Sequence, residues 1–337
     1  MRQGAIAGWT QTVFPTGWFQ VAWSPEIAVG DVVARHYWCR DLVVWRGASG
    51  RVHAMDAREK RRGVDLGRAS RVVGEALECV VDGWLWQPDG SALTPDGTRI
   101  EGDNVLRVYE TREVMGLVLL WYDELGRPPA WEIEVEPEAV SPDFYPAWPH
   151  GAVLDPMACQ PQIMAENIAD VVHVHYAHRW LDIPTITQWD DDGPVLVVGY
   201  RGQFSSPRGP VDAEFGNKAY GFGVMRTRMH SLRKFIHILC PTPIDRERMD
   251  VRLSAWVQRA PGDTGDVPDK VAMALIKAQH AEVLGPNVDR TIWENQAYLE
   301  RPGFRSQERQ YIAFRKWAKQ FYPDPAQTET QTPATVG

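Results

Sequence analysis

Between Met164 and Trp180 the chain reads MAENIADVVHVHYAHRW. Three histidines, His173, His175 and His178, fall within six residues, behind two acids, Glu166 and Asp170. Imidazole is the commonest metal-ligating side chain at neutral pH. A single histidine is ordinarily a satisfied core residue. Three together beside two acids, in a chain that holds nine histidines, point to a metal site instead.

Helix geometry alone does not say which pair binds. At about 100° per residue, Asp170 and His173 lie about 60° apart on one face, and so do His175 and His178. His173 and His178 lie about 140° apart, so they converge only if the helix is widened or broken there, a distortion found at functional sites. Two histidines and one carboxylate on one face of a metal, with the other positions open, is the arrangement of non-heme Fe(II) oxygenases.

The pattern Asn167-x-x-Asp170-x-x-His173-x4-His178 resembles the mononuclear-iron motif of the Rieske non-heme iron oxygenase alpha subunits, particularly the ketosteroid-hydroxylase-like branch. The resemblance implies that His173 and His178 are the ligands and His175 a bystander. It implies a third ligand at Asp289, within Pro286-Asn-Val-Asp-Arg-Thr-Ile-Trp-Glu-Asn295. Asp170 matches the family's aspartate that bridges two redox centres, and three residues before His173 it can orient the ligating imidazole. Asn167 is expected near the open iron position.

Residues 17 to about 124 read as short strands. Leu42-Val-Val-Trp45, Val52-His-Ala-Met55, Leu77 to Val81 and Val114 to Tyr122 are separated by turns at Gly50, Gly63, Gly67, Gly74, Asp89-Gly90 and Asp96-Gly97. The order of features, from Gly17-Trp-Phe to Asp82-Gly-Trp84, resembles the family's Rieske domain. A Rieske [2Fe–2S] centre needs two cysteines on one iron and two histidines on the other. The family's four ligand positions fall at 59, 61, 79 and 82, where this chain has Glu59, Arg61, Cys79 and Asp82. One ligand of four survives, so the expectation is a degenerate framework without a [2Fe–2S] cluster. Arg61, a fixed positive charge, is expected to pair with Glu59 or Asp82 and fill the vacated space.

The fold expected is α+β, with a degenerate Rieske-like all-β domain over residues 1–125 and a helix-grip mononuclear-iron domain over 126–325. In the second domain an antiparallel sheet is wrapped by helices, and residues 326–337 form a disordered tail. The proline-rich stretch from about Gly126 to His150, interleaved with aromatic residues, reads as an ordered crossing. Gln162 to Trp180 reads as one helix. Strands follow at about 184–190, 194–201, 219–228, 233–240 and 250–258, then helices from about 268, around Asp289, and from Phe304 to Tyr322. A net charge of −8 argues against nucleic acid as a partner. No apolar run reaches the roughly 18 residues of a membrane span. The N-terminal residues lack a basic-then-apolar signal pattern, and four scattered cysteines contain no C-x-x-C. A cytoplasmic protein without structural disulfides is expected.

The resemblance implies a catalytic oxidoreductase, a monooxygenase or hydroxylase that uses O2 at a mononuclear Fe(II). Its expected substrate is small and apolar, a steroid or other polycycle. Lacking its own cluster, the chain is expected to work in a hetero-oligomer, an α3β3 hetero-hexamer, with a homologous chain whose Rieske cluster is intact. Ferredoxin or reductase proteins supply the electrons. Two other readings compete: a non-catalytic structural or regulatory subunit, and a non-redox metal enzyme. The triad argues against the first, and Asp170 against the second.

Overall fold

A computed structural model of the chain describes residues 6–323, apart from 103–104, 155, 207–208, 231–232, 285–288 and 306–307. The expected tail lies outside these residues. Two compact units emerge: Phe19–Tyr122 with Pro128–Ala130, and the remainder, which takes in the stretch up to Trp18. The N-terminal stretch thus packs with the second unit, where the sequence suggested a division at 125. The reason is local. Tyr298 donates its backbone N–H to the Ala7 carbonyl (2.8 Å), Thr16 donates to Phe321 (2.7 Å), and Trp9 meets the Tyr298 ring edge-on.

The β unit is built of short antiparallel strands. Val32–Tyr37, Arg40–Arg46, Val52–Asp56 and Val108–Tyr109 make one sheet, and Ser70–Val73, Ala76–Cys79, Leu85–Trp86 and Ala92–Leu93 another. Their apolar runs face one core, where Val43, Trp45, Met55, Leu66, Leu77 and Trp86 are almost wholly buried. Burying a side chain of this size stabilises the fold by about 1.5–3 kcal/mol before entropy is counted.

The second unit centres on a seven-stranded antiparallel sheet. In spatial order its strands are Ala152–Val153, Met249–Val257, Lys234–Pro243, Val224–His230, Gly209–Tyr220, Val195–Ser206 and Thr185–Asp190. The helix Lys270–Leu284 sets Ala272 and Ile276 against Phe235, Ala255 and Val257. The helix Arg309–Ala318 and the turn Lys319–Phe321 carry Phe314, Trp317 and Phe321 into the larger core. Among the described residues no helix is long and apolar enough to cross a membrane.

Three sequence expectations need correction. The run read as one strand over 219–228 is the end of Gly209–Tyr220, a turn with Gly221 in the left-handed region (φ 60°), and the start of Val224–His230. Apolar residues continue through that turn, so periodicity alone hides it. The final helix is shorter than Phe304 to Tyr322. The helix expected over Gln162 to Trp180 is broken into Pro161–Ala165, a 3-10 turn Glu166–Ala169, and Val171–Tyr176.

The proline-rich crossing is tied down by charge. Glu134 meets Lys218 (2.5 Å), Glu136 meets Arg226 (3.0 Å) and Arg228 (2.9 Å), and Glu138 meets Arg228 (2.6 Å). The alternating acids Glu134, Glu136 and Glu138 thus answer Lys218 on the Gly209–Tyr220 strand and the alternating Arg226 and Arg228 on Val224–His230.

Candidate metal centre and its cavity

The break in the histidine-bearing segment brings His173 and His178 together. Val171–Tyr176 ends two residues before His178, and Arg179 adopts a left-handed conformation (φ 57°). That conformation costs an L-residue roughly 1–2 kcal/mol, and such outliers gather at functional sites. The rings of His173 and His178 come to a centroid separation of 5.2 Å. Asp289 opens the helix Asp289–Asn295, where an acid suits the positive end of the helix dipole. His173, His178 and Asp289 each offer one ligand atom, all within 4.8 Å of one another.

These groups fit a bound cation. Asp289 is 6% exposed, and its Oδ1 accepts no hydrogen bond although His178 Nε2 lies 3.2 Å away. A buried carboxylate short of partners is costly, by several kcal/mol, unless a cation compensates it. Burial holds the His173 imidazole below its ordinary range, against the opposite pull of Asp170 and Asp289. Neutral imidazole is the ligating form. His173 Nδ1 donates to the Asp170 carbonyl, which places the lone pair on Nε2. The Asn167 amide lies 3.3 Å from that nitrogen. His175 turns elsewhere: its Nδ1 donates to the Trp180 carbonyl at 2.6 Å.

Asp170 does two jobs. Its Oδ1 caps the Val171–Tyr176 helix, accepting from Val172 N (3.1 Å) and His173 N (3.0 Å). Its backbone carbonyl, rather than its carboxylate, holds the His173 ring, since the second carboxylate oxygen stands 3.8 Å from Nδ1. The Tyr311 hydroxyl hydrogen-bonds the Asp170 carboxylate, and burial together with that charge pushes the phenol's pKa up. Nothing in the spacing of the motif pointed to Tyr311, which arrives from a distant helix. Glu166 belongs to the scaffold. It is 4% exposed, bound by Arg315 (2.5 Å) and by Gln162 (3.2 Å). Removing one partner of such a buried pair costs about 3–5 kcal/mol.

Beside the triad opens a cavity of about 1130 Å³, with Met164, Tyr200, Phe215, Met225, Leu239 and Trp293 among its walls. It is large enough for a polycyclic molecule and mostly apolar, as small-molecule sites generally are.

In the β unit, Glu59 is 4% exposed and accepts the backbone N–H groups of Arg61 (2.6 Å), Arg62 (2.5 Å) and Val64 (3.2 Å). Charge-assisted bonds of this kind contribute about 1.5–3 kcal/mol each. The Arg61 guanidinium pairs with Asp82 rather than with Glu59, and lies 3.9 Å from the centre of the Trp84 ring. Cys79 is buried, and desolvation pushes its thiol above its ordinary range.

Comparison with known proteins matches residues 17–102 to the Rieske [2Fe-2S] domain and residues 120–322 to the 3-ketosteroid 9alpha-hydroxylase C-terminal domain. The oxygenase component of 3-ketosteroid-9-alpha-monooxygenase from Rhodococcus rhodochrous is 23% identical, across 93% of this chain and 82% of its own length. Cholesterol 7-desaturase of Xenopus laevis is 21% identical, across 96% of this chain and 75% of its own. The crystal structure of dicamba monooxygenase bound to dicamba superposes with a TM-score of 0.68 at 16% identity, over 95% of this chain and all of that one. That likeness establishes the fold: a Rieske-type N-terminal domain and a C-terminal catalytic domain. With more than half its length matched by one family model, the chain belongs to the 3-ketosteroid 9alpha-hydroxylase C-terminal domain family, within the Rieske oxygenases.

Proposed function

We propose that this chain is the catalytic subunit of a hetero-oligomeric Rieske-type oxygenase. It hydroxylates an apolar substrate, a steroid or similar polycycle, at a mononuclear Fe(II), with electrons from a partner chain's Rieske cluster. The observation that carries the reading is the convergence of two half-buried histidines, His173 and His178, on the buried Asp289 beside a large apolar cavity. A purely structural subunit has no use for either. Curated relatives that match across nearly the whole chain are the oxygenase component of a monooxygenase and a desaturase.

His173, His178 and Asp289 would hold the metal, and Fe(II) bound there would supply the activation of O2. The chain's own residues do the rest. The Asp170 carbonyl fixes the His173 tautomer, Asn167 lies beside the same ring, and the apolar walls exclude water around the substrate.

The absence of a [2Fe–2S] cluster in this chain is part of the proposal. Of the four ligand positions, 59, 61 and 82 carry Glu, Arg and Asp. These charges are taken up by backbone N–H groups and by one another. The electrons therefore come from a homologous chain with an intact cluster, itself reduced by ferredoxin or reductase. The α3β3 arrangement belongs to this proposal, and so does a cytoplasmic location. Val172, Tyr176, Leu181 and Ile183 stand 43–72% exposed on the ligand-bearing segment and just beyond it. Such a patch is suited to a partner surface.

Asp170→Asn tests the role of the bridging aspartate. Asparagine caps a helix as well as aspartate does, so His173 keeps its place while the negative charge goes. Turnover by the complete complex is expected to fall roughly 10- to 100-fold, with iron content and substrate binding within about twofold of wild type. Unchanged turnover would remove Asp170 from the electron path.

A further inference from the structure

Arg179 lines the cavity next to His178, and the chain just beyond it is pinned. Trp180 is 8% exposed, forms a β-bridge with Phe204 and brings its ring to 5.0 Å from that of Phe215, centroid to centroid. Leu181 donates its N–H to the Gln203 carbonyl at 2.8 Å. Gly202 makes room for the indole, since a Cβ there would come within 2.9 Å of it. Between the triad and this anchor the Arg179 backbone is held in the left-handed region (φ 57°), where glycine would sit without strain. The position carries a long cation instead, and it is exposed where it lines the cavity.

The charge of Arg179 is unanswered. Among the described residues its side chain enters no hydrogen bond and no ion pair. The acids that could meet it are engaged elsewhere. Asp182, three residues on, accepts the Gln203 backbone N–H at 2.8 Å. Asp212, the one acid besides Asp289 among the described residues of the wall, accepts from the Gln203 side-chain amide at 2.8 Å. The other arginine of the wall, Arg226, is already answered by Glu136 (3.0 Å) and by the Gly216 carbonyl (2.7 Å). Arg179 is therefore the lining cation open to a charge that a ligand brings, with Met164, Phe204, Phe215, Met225 and Leu239 supplying apolar surface beside it. A guanidinium presents a planar fork of donors that matches a carboxylate, through two parallel N–H···O bonds.

We propose that the substrate is an amphipathic acid, an apolar polycyclic body that fills the cavity and bears one carboxylate on a short arm, and that Arg179 holds that carboxylate. The acid end, fixed beside the histidine-bearing segment, sets the orientation in which the body lies. The proposal rests on the oxygenase reading and names its substrate class. An exposed ion pair gains little, whereas charged hydrogen bonds with good geometry gain more, so the expected discrimination is about five- to twentyfold rather than thousands.

Fluorescence titration of the full chain with 1-pyrenebutyrate, 1-pyrenebutanol and 1-pyrenebutylamine tests this, because the three share one polycyclic body and one arm and differ in the charge of the head. The wild-type chain is expected to bind the carboxylate about five- to twentyfold more tightly than the alcohol, and the ammonium most weakly. Raising the salt from about 0.05 M to about 0.5 M should shrink that preference at least about twofold. Arg179→Gln should bring the acid-to-alcohol ratio to within about twofold of one, and Arg179→Glu should invert it. Arg179→Lys should keep part of the preference, since lysine retains the charge and loses the fork. Iron content and thermal midpoint, measured on the same samples, exclude unfolding as the cause. Equal binding of acid and alcohol by the wild-type chain, or a preference that survives in both Arg179→Gln and Arg179→Glu, overturns the proposal and leaves the oxygenase reading standing. Binding of none of the three overturns the proposal together with the polycyclic-substrate reading.

Discussion

Alanine in place of His173, His178 or Asp289 is expected to abolish turnover and strip most of the iron. The candidate ligand atoms of His173, His178 and Asp289 lie within 4.8 Å of one another, so each substitution takes away one of three proposed ligands. Loss of a partner that merely supports a ligand typically costs 10- to 100-fold in metal affinity, and loss of the ligand itself should exceed about 100-fold. The three differ in what they leave behind. His173→Ala and His178→Ala leave Asp289 buried and short of partners, and should lower stability as well as iron content. Asp289→Ala removes the buried charge, so it should lose iron with little loss of stability, which separates ligation from folding. His175→Ala should keep its iron, because that ring is held by the Trp180 carbonyl. Iron analysis and thermal denaturation of the four variants decide the assignment. Iron lost from His175→Ala but retained by His178→Ala would show the ligand pair to be wrong.

The second large effect is dependence on another chain. If, as proposed, its β unit holds no cluster, this chain purified alone and given a reductase is expected to turn over at less than about one hundredth of the rate of the complete complex. Asp82→His alone should not change that, because positions 59 and 61 still lack ligands. Co-expression with a homologous chain that carries the intact C-x-H and C-x2-H pairs should restore turnover. Native mass spectrometry should then show both chains in one assembly. Obligate interfaces usually bury more than about 2,000 Å², and the exposed Val172, Tyr176, Leu181 and Ile183 are expected to lie within one. Substituting Tyr176, 72% exposed, by aspartate should weaken assembly and leave the iron in place. A homotrimer that hydroxylates substrate at full rate would contradict the dependence.

The kind of local signal decides how much of the fold and site the sequence shows. The short strands of the β unit were readable because turn residues punctuate them and their apolar runs are brief. The sheet of the second unit was readable in outline. Its register was not, since the cross-strand neighbours Asn217, Thr227 and His237 are ten residues apart in sequence and meet through hairpin pairing alone. Periodicity failed at 219–228, where apolar residues run through a turn. It failed again between Gln162 and Trp180, where a continuous helical pattern conceals two breaks. That second failure is informative, because an unbroken helix would have held His173 and His178 apart. Sequence spacing left the ligand pair open, and the resemblance to a family selected it. Glu166 looked like a second candidate acid beside the histidines, but Arg315 claims it from a helix about 150 residues away. Long-range pairs of that kind carry no local signal.

Iron and acid-labile sulfide, counted together on the anaerobically purified chain, test the central claim most directly. One iron per chain, no sulfide and no Rieske EPR signal are expected. Three irons with two sulfides would contradict the claim, for they would place a cluster where Glu59, Arg61 and Asp82 now engage one another and the backbone around them.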